Sequence, residues 1–263
     1  MEKLQNLIPN YSVEAVKLTP AEKLQLQCDA ENAVKGKMKL IDCPLCNNKG
    51  VISTVKDGEI ITQECKCMQK RLFIERLSAN GLDKLSQSKK FSTFNAKAPF
   101  QQEMQKLVYN YAVSDIDNWL YIGGQRGSGK THLCIAATVK LSRRYNVQYF
   151  VWEDNADELT SGSYYSEDER RRKINMIKNA EVLYIDDFLR KTEPKEKEIR
   201  LAFEIINYRY NRNLRTIITS EKNIQELYHN IDSAIAGRIA EKCGTFKYTI
   251  QPDPSKDYRI YGG

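Results

Sequence analysis

Eight residues constrain this chain more than any others: Gly124, Gln125, Arg126, Gly127, Ser128, Gly129, Lys130 and Thr131, spaced G-x-x-x-x-G-K-T. They follow the apolar run Trp119-Leu120-Tyr121-Ile122 and precede a helix-like stretch from Thr131 to Tyr145. That is the strand–loop–helix setting of a phosphate-binding P-loop, and it points to an α/β domain. The glycines let the backbone curl around an anion where side chains would block it. Backbone N–H groups then form a nest, and the helix N-terminus adds its partial positive charge. Lys130 is placed to reach β- and γ-phosphates, and the Thr131 hydroxyl to ligate Mg²⁺. A chance match in a glycine-containing loop is the alternative, and the flanking strand and helix argue against it. The ligand class is a nucleoside triphosphate with Mg²⁺.

A partner for this loop lies about fifty residues downstream. Val182-Leu183-Tyr184-Ile185-Asp186-Asp187 gives four apolar residues ending in two aspartates. A strand buried in a parallel sheet is apolar on both faces, and its carboxyl end points into the ligand crevice. Asp186 is placed to hold Mg²⁺ and Asp187 to orient the attacking water. Alone, two aspartates after a strand could equally be a turn or a helix cap. Two further strands frame the site: Val147 to Trp152, and Arg215-Thr216-Ile217-Ile218-Thr219-Ser220, with hydroxyls at its tip. Thr219 or Ser220 is the candidate sensor of the γ-phosphate. In the helix-like segment Asp232 to Ile239, Arg238 is a candidate arginine finger for a neighbouring subunit; a solvated helix charge is the commoner fate of an arginine.

The second cluster is made of cysteines. Cys43-Pro44-Leu45-Cys46 and Cys65-Lys66-Cys67 are separated by eighteen residues. The intervening Gly50 to Thr62 reads as two short strands around Asp57-Gly58, a hairpin that brings the pairs together. Four thiolates suit a tetrahedral, closed Zn²⁺ site. Disulfides and unrelated buried thiols are the rival readings, the first disfavoured in a reducing compartment. Cys28, Cys134 and Cys243 read as ordinary small apolar residues.

The 263 residues suit one large domain with a small appendage. The division expected is 1–77 for a helical and zinc-knuckle domain, 78–90 for a linker and 91–263 for the ATPase domain. Thr19 and Pro20 open a helix before the knuckle; Met68 to Leu77 is helical after it, and Asn80-Gly81 breaks it. No apolar run approaches the ~20 residues of a membrane helix, and the N-terminus lacks a signal peptide's apolar region. A cytoplasmic protein without membrane contact is expected. The net charge is +7, of which 16 basic and 11 acidic residues up to Lys97 supply +5. This is compatible with nucleic acid and does not demand it.

The ordered set of motifs resembles the DnaC/DnaI-type replicative-helicase loaders, a branch of the AAA+ ATPases with phage-encoded members, within the IstB-like ATP-binding superfamily. The segments that carry the likeness are 123–133 (with His132 beside the P-loop), 182–188, 205–212, 216–220 and the Arg238 helix. The knuckle also resembles the N-terminal zinc segment of DnaI-like loaders. The resemblance implies a five-stranded parallel sheet of order 5-1-4-3-2 and no full C-terminal lid. Only 25 residues follow Arg238, so a second sensor arginine is expected to be absent. It also implies self-association with ATP at the subunit joints, an N-terminal region gripping a DnaB-type helicase, and contact with single-stranded DNA. For the last, Asp157 to Asn179 is the candidate, with Tyr164, Tyr165 and Arg170-Arg171-Arg172-Lys173; a solvated helix face is the alternative. The function implied is ATP-dependent loading of that helicase, with slow hydrolysis. An IstB-like transposition helper, or a zinc-containing adaptor with structural ATP, are the rivals. Glu221 stands where the family usually has Asn; an acid beside the γ-phosphate is unfavourable.

Overall fold

The computed structural model describes residues 18–39, 41–79, 81–162 and 164–261. The chain divides into two compact units, Met1–Arg71 and Leu72–Gly263.

In the first unit, α1 (Pro20–Ala33) begins where expected. Thr19 and Glu22 form a reciprocal capping box, with Pro20 in the first turn. Strands β1 (Val51–Lys56) and β2 (Glu59–Glu64) pair antiparallel from Val51↔Glu64 to Lys56↔Glu59. Asp57 and Gly58 both take positive φ, 51° and 80°, as a two-residue turn matching the strand twist requires. The Asn32 side chain docks α1 on the hairpin, donating to the Ser53 carbonyl (2.8 Å) and accepting its N–H (2.9 Å). Helix α2 (Cys67–Ala79) starts at the last cysteine of the cluster.

The expected boundary at residue 77 and the loose linker 78–90 take a different form. The division falls inside α2. Leu77 and Leu82 are buried in the core of the second unit, and Asp83–Ser88 is a short helix, α3. The polar sequence concealed this, because two apolar residues are enough to anchor the segment. Residues 1–17 and Asn80 lie outside the described residues.

The second unit is a sheet covered on both faces. It runs α4 (Pro99–Val113), β3 (Leu120–Gly124), α5 (Lys130–Leu141), β4 (Val147–Val151), α6 (Trp152–Ser161), α7 (Glu167–Asn179), β5 (Val182–Asp186) and α8 (Glu196–Asn211). It continues with β6 (Arg215–Thr219), α9 (Ile224–Asn230), α10 (Ser233–Cys243), β7 (Lys247–Ile250) and the single turn α11 (Tyr258–Tyr261). The strand order is β4-β5-β6-β3-β7 with every pairing parallel. Counted from β3 as the first strand, this is 5-1-4-3-2, as the resemblance implied. Strands β3, β5 and β6 are buried at every position, which explains their continuous apolar runs. β7 had no such signature in the sequence, since it is a four-residue edge strand, largely exposed.

One core packs Trp119, just before β3, and the strand residues Tyr121 and Ile185 against α6 to α10; the other packs Leu120, Ile122 and Tyr184 against α4 and α5. The polar region 157–179 is two helices, not one, because Gly162 ends α6 with φ 70°. Arg209 staples this half together. Fully buried on α8, its guanidinium donates to the Thr216 hydroxyl (2.9 Å) and the carbonyls of Lys178 (2.9 Å), Ala180 (2.8 Å) and Arg215 (2.6 Å).

Candidate functional site

The P-loop joins β3 to α5, and its backbone takes the conformation the glycines allow. Gly124, Gly127 and Gly129 have φ of 101°, 66° and 94°, the region that other residues enter only with strain. The N–H groups of Gly127, Ser128, Gly129, Lys130 and Thr131 find no acceptor among the described residues. They are converging donors at a helix N-terminus, which fits a phosphate group. Ser128 instead closes the loop, its hydroxyl donating to the Gln125 carbonyl at 2.8 Å. The Lys130 ammonium lies within this loop, 2.7 Å from the carbonyls of both Gly124 and Gln125. Burial pulls its pKa down to about 8, against the opposing pull of Glu221, Asp187 and Asp186.

Asp186, at the end of β5, receives four hydroxyl donors. Thr131 Oγ1 lies 3.1 Å from Oδ1, Tyr184 OH 2.7 Å from Oδ1 and Tyr149 OH 3.0 Å from Oδ2. Thr219 Oγ1 also donates to Oδ1. The Thr131–Asp186 contact places the two expected Mg²⁺ ligands side by side, as hard oxygen donors suited to that ion. Thr219 in turn accepts the Asp187 N–H at 3.3 Å. Tyr149 and Tyr184 were not foreseen as site residues. Tyr184 lies two residues before Asp186, so the strand alternation that sends one to the crevice sends the other. Tyr149 is visible only once β4 and β5 are paired, where it stands opposite Tyr184.

Asp187 follows in the left-handed region with φ 54°, turning its carboxylate toward the cleft. Burial raises its pKa, as does neighbouring Asp186, with Arg190 pulling the other way. A cleft of about 230 Å³ is lined by the P-loop from Arg126 to Thr131, with Lys89, His132, Asp187, Arg190, Glu221 and Arg259.

Glu221 is in this cleft, yet it is not a bare acid. Arg126 Nη2 lies 2.5 Å from one carboxylate oxygen and Arg190 Nε 3.0 Å from the other. Arg190 also approaches Asp187 at 3.8 Å. The repulsion expected between Glu221 and phosphate is thereby offset. Ser220 points away: its hydroxyl donates to the Phe188 carbonyl (2.8 Å) and accepts the Lys222 N–H (3.1 Å). Of the two sensor candidates, Thr219 touches the carboxylate and Ser220 does not. His132 faces the segment before α4, with Nε2 2.9 Å from the Lys90 carbonyl and its ring 5.2 Å from that of Phe94. Burial lowers its pKa, and the residue lines the cleft wall. Arg238 is outside the cleft of its own chain. It is packed on α8, bonded to Asn207 Oδ1 (3.1 Å) and stacked near Phe203 and Tyr210. From the C-terminal side, Arg259 also lines the cleft.

The knuckle forms in the first unit as the spacing predicted. The sulfurs of Cys43, Cys46, Cys65 and Cys67 all lie within 4.8 Å of one another, and all seven cysteines are free thiols. Burial would raise the Cys46 thiol, but the Gly50 N–H at 3.4 Å and the neighbouring sulfurs outweigh it and bring it down to about 6. Four converging thiols suit zinc. Arg71 braces the loop from below through the Ile41 carbonyl (2.7 Å) and Asn48 Oδ1 (2.9 Å).

On α6 and α7 the charge pattern is mixed. Tyr165 donates to Glu158 at 2.5 Å, and Lys173 sits over its ring at 3.9 Å. Arg170 pairs with Glu167 at 2.9 Å, while Arg171, Arg172 and Tyr164 are exposed. Among the described residues no helix is long and apolar enough to cross a membrane.

With this geometry in view, comparison with known proteins is decisive at the level of family. Residues 48–246 match the family described as IstB-like ATP binding protein. The chain belongs to that family. A relative is the phage-like element PBSX protein XkdC of Bacillus subtilis (strain 168), 27% identical over 224 residues, spanning 80% of this chain and 82% of that protein. The fold matches the crystal structure of the DnaC helicase loader with a TM-score of 0.55 at 20% identity, over 65% of this chain and 99% of that one. It matches DnaI with a TM-score of 0.50 at 23% identity, over 66% and 93%. The sheet order, the P-loop and the aspartate-tipped β5 thus belong to an ATP-binding domain of the IstB-like family, with the fold seen in the DnaC and DnaI structures.

Proposed function

We propose that this protein is an ATP-dependent loader that places a DnaB-type replicative helicase on single-stranded DNA. The observation that carries the reading is a half-built ATP site. Lys130, Thr131 and Asp187 line one cleft, with Asp186 bonded to Thr131, while Arg238 stands on a helix outside it. A second copy would complete the site by bringing its own Arg238 to the γ-phosphate, so ATP would govern self-association. The fold shared with a protein described as a helicase loader supports this.

In that assembly the P-loop N–H groups and Lys130 bind the β- and γ-phosphates, and Thr131 and Asp186 hold Mg²⁺. Tyr149, Tyr184 and Thr219 fix the Asp186 carboxylate. Asp187 accepts the proton of the attacking water, and its shorter reach than glutamate suits slow hydrolysis. Zinc at the four cysteines stiffens the first unit as the helicase-gripping module, and Arg171 and Arg172 meet DNA phosphate. Size-exclusion chromatography with the co-resident replicative helicase tests the reading. A complex whose size depends on ATP supports it, and no complex under either condition sinks it. The family's description also supports a transposition helper; stable binding to duplex DNA and to a transposase, without helicase binding, would establish that reading instead. Full biological activity in a Lys130→Ala protein would favour an adaptor with structural ATP.

A further inference from the structure

Lys222 stands just past the tip of β6, and its ammonium donates to three consecutive carbonyls: Leu189 (2.8 Å), Arg190 (2.9 Å) and Lys191 (2.7 Å). An ammonium has three protons to donate, so this one is used in full on the turn that follows β5. The turn requires such a hold. Asp187 and Leu189 both take left-handed φ, 54° and 46°, which non-glycine residues keep only where surrounding contacts over-determine them. Lys222 is itself fixed to the strand that feeds the P-loop. Its carbonyl accepts the Tyr121 hydroxyl at 2.6 Å, and β3 passes so close that a Cβ on Gly123 would collide with that carbonyl. At the far end of the turn, the Lys191 ammonium is held by Asp157 (2.9 Å) and Glu198 (2.8 Å).

The turn carries two residues of the cleft wall, Asp187 and Arg190, whereas Lys222 is not part of that wall. Arg190 stands between Asp187 (3.8 Å) and Glu221 (3.0 Å), so a change in the course of the turn shifts the Asp187 carboxylate and the cation beside it together. We infer that Lys222 is a positioning residue for ATP hydrolysis: from outside the cleft it fixes the turn that aims Asp187 at the attacking water, and it touches no nucleotide. The inference rests on the ATPase reading of the site.

Single-turnover phosphate release and binding of a fluorescent ATP analogue, both on the full-length chain with Mg²⁺, test it. Lys222→Met keeps an unbranched stem and removes the donors. Its release rate is expected to fall about 10–100-fold, the scale on which a misplaced reacting group costs rate, while Kd for the analogue stays within about twofold of wild type. Lys222→Gln, too short to meet three carbonyls at once, is expected to lose about fivefold or more and carries the test if the Met variant does not fold. In an Asp187→Asn background, Lys222→Met is expected to cost less than about threefold more, because the group it aims is gone. Lys195→Ala, which removes a neighbouring cation bound to Asp157 (2.9 Å), is expected to stay within about twofold. Release by folded Lys222→Met or Lys222→Gln within twofold of wild type overturns the inference and leaves the ATP site standing. A full second loss in the Asp187→Asn background, or an equal loss in Lys195→Ala, also overturns it, since general loosening of the fold would then suffice. A wild-type chain that binds ATP and never hydrolyses it overturns the ATPase reading together with the inference.

Discussion

Replacing Asp187 by Asn separates the chemistry of this site from its architecture. The residue sits at φ 54°, a conformation Asn adopts as readily as Asp. Its N–H bond to Thr219 is unaffected by the change, and its contact with Arg190 is long, 3.8 Å. The fold and the phosphate cradle are therefore expected to survive. What disappears is the one cleft carboxylate, among the described residues, that is neither saturated by hydroxyls, as Asp186 is, nor paired closely with two arginines, as Glu221 is. Loss of a general base costs about 10²–10⁴-fold, or about 3–5 kcal/mol in the barrier. Stability should move the other way. Burial and Asp186 raise the Asp187 pKa above its unfolded value, so the folded state disfavours the ionised form. Its contribution is favourable at low pH and is lost as pH rises through the folded pKa, leaving a cost at pH 7 that Asn removes. The expected result is a higher thermal midpoint, ATP affinity within twofold of wild type, and phosphate release slowed at least a hundredfold. Wild-type hydrolysis should itself fall on the acid side as Asp187 protonates. Phosphate release within threefold of wild type in Asp187→Asn would refute the assignment.

Other outcomes follow from the same structure. Arg209→Ala removes the guanidinium donor from the carbonyls of Lys178, Ala180 and Arg215 and from the Thr216 hydroxyl and should cost about 3–5 kcal/mol, since a buried polar group left unsatisfied costs about 1–3 kcal/mol; calorimetry would show a midpoint lower by roughly 10 °C. Because Lys130 is lowered to about 8 and bound phosphate would raise it, ATP affinity should be flat below pH 8 and fall as pH rises beyond it; titrations at pH 7 and 9 check this. Metal analysis should find about one Zn²⁺ per chain, released by Cys46→Ser together with the folded signal of the first unit, while ATP binding persists.

Much of this was legible in the sequence, because strong local rules agree with the fold. The P-loop spacing, the apolar β5 ending in Asp186-Asp187 and the Asp57-Gly58 hairpin each encode their geometry in adjacent residues. What was hidden depends on pairings distant in sequence. Tyr149 reaches Asp186 only because β4 and β5 are neighbours. Glu221 looked like an unfavourable acid because its two arginines come from the P-loop and from the turn after β5. Arg259 lines the cleft only because β7 and its return over the P-loop bring the C-terminal segment there. The segment 78–90 read as a linker because its helix is short and only Leu82 and Leu85 within it pack on the core.

The central claim is that ATP at Lys130 drives delivery of a helicase ring to DNA. Circular single-stranded DNA tests this directly, since it has no end over which a closed ring can thread. With wild-type protein and ATP, the replicative helicase should become salt-resistant on the circle, and with Lys130→Ala it should remain at the level seen without loader. Equal retention with Lys130→Ala, or none with wild type, would contradict the account.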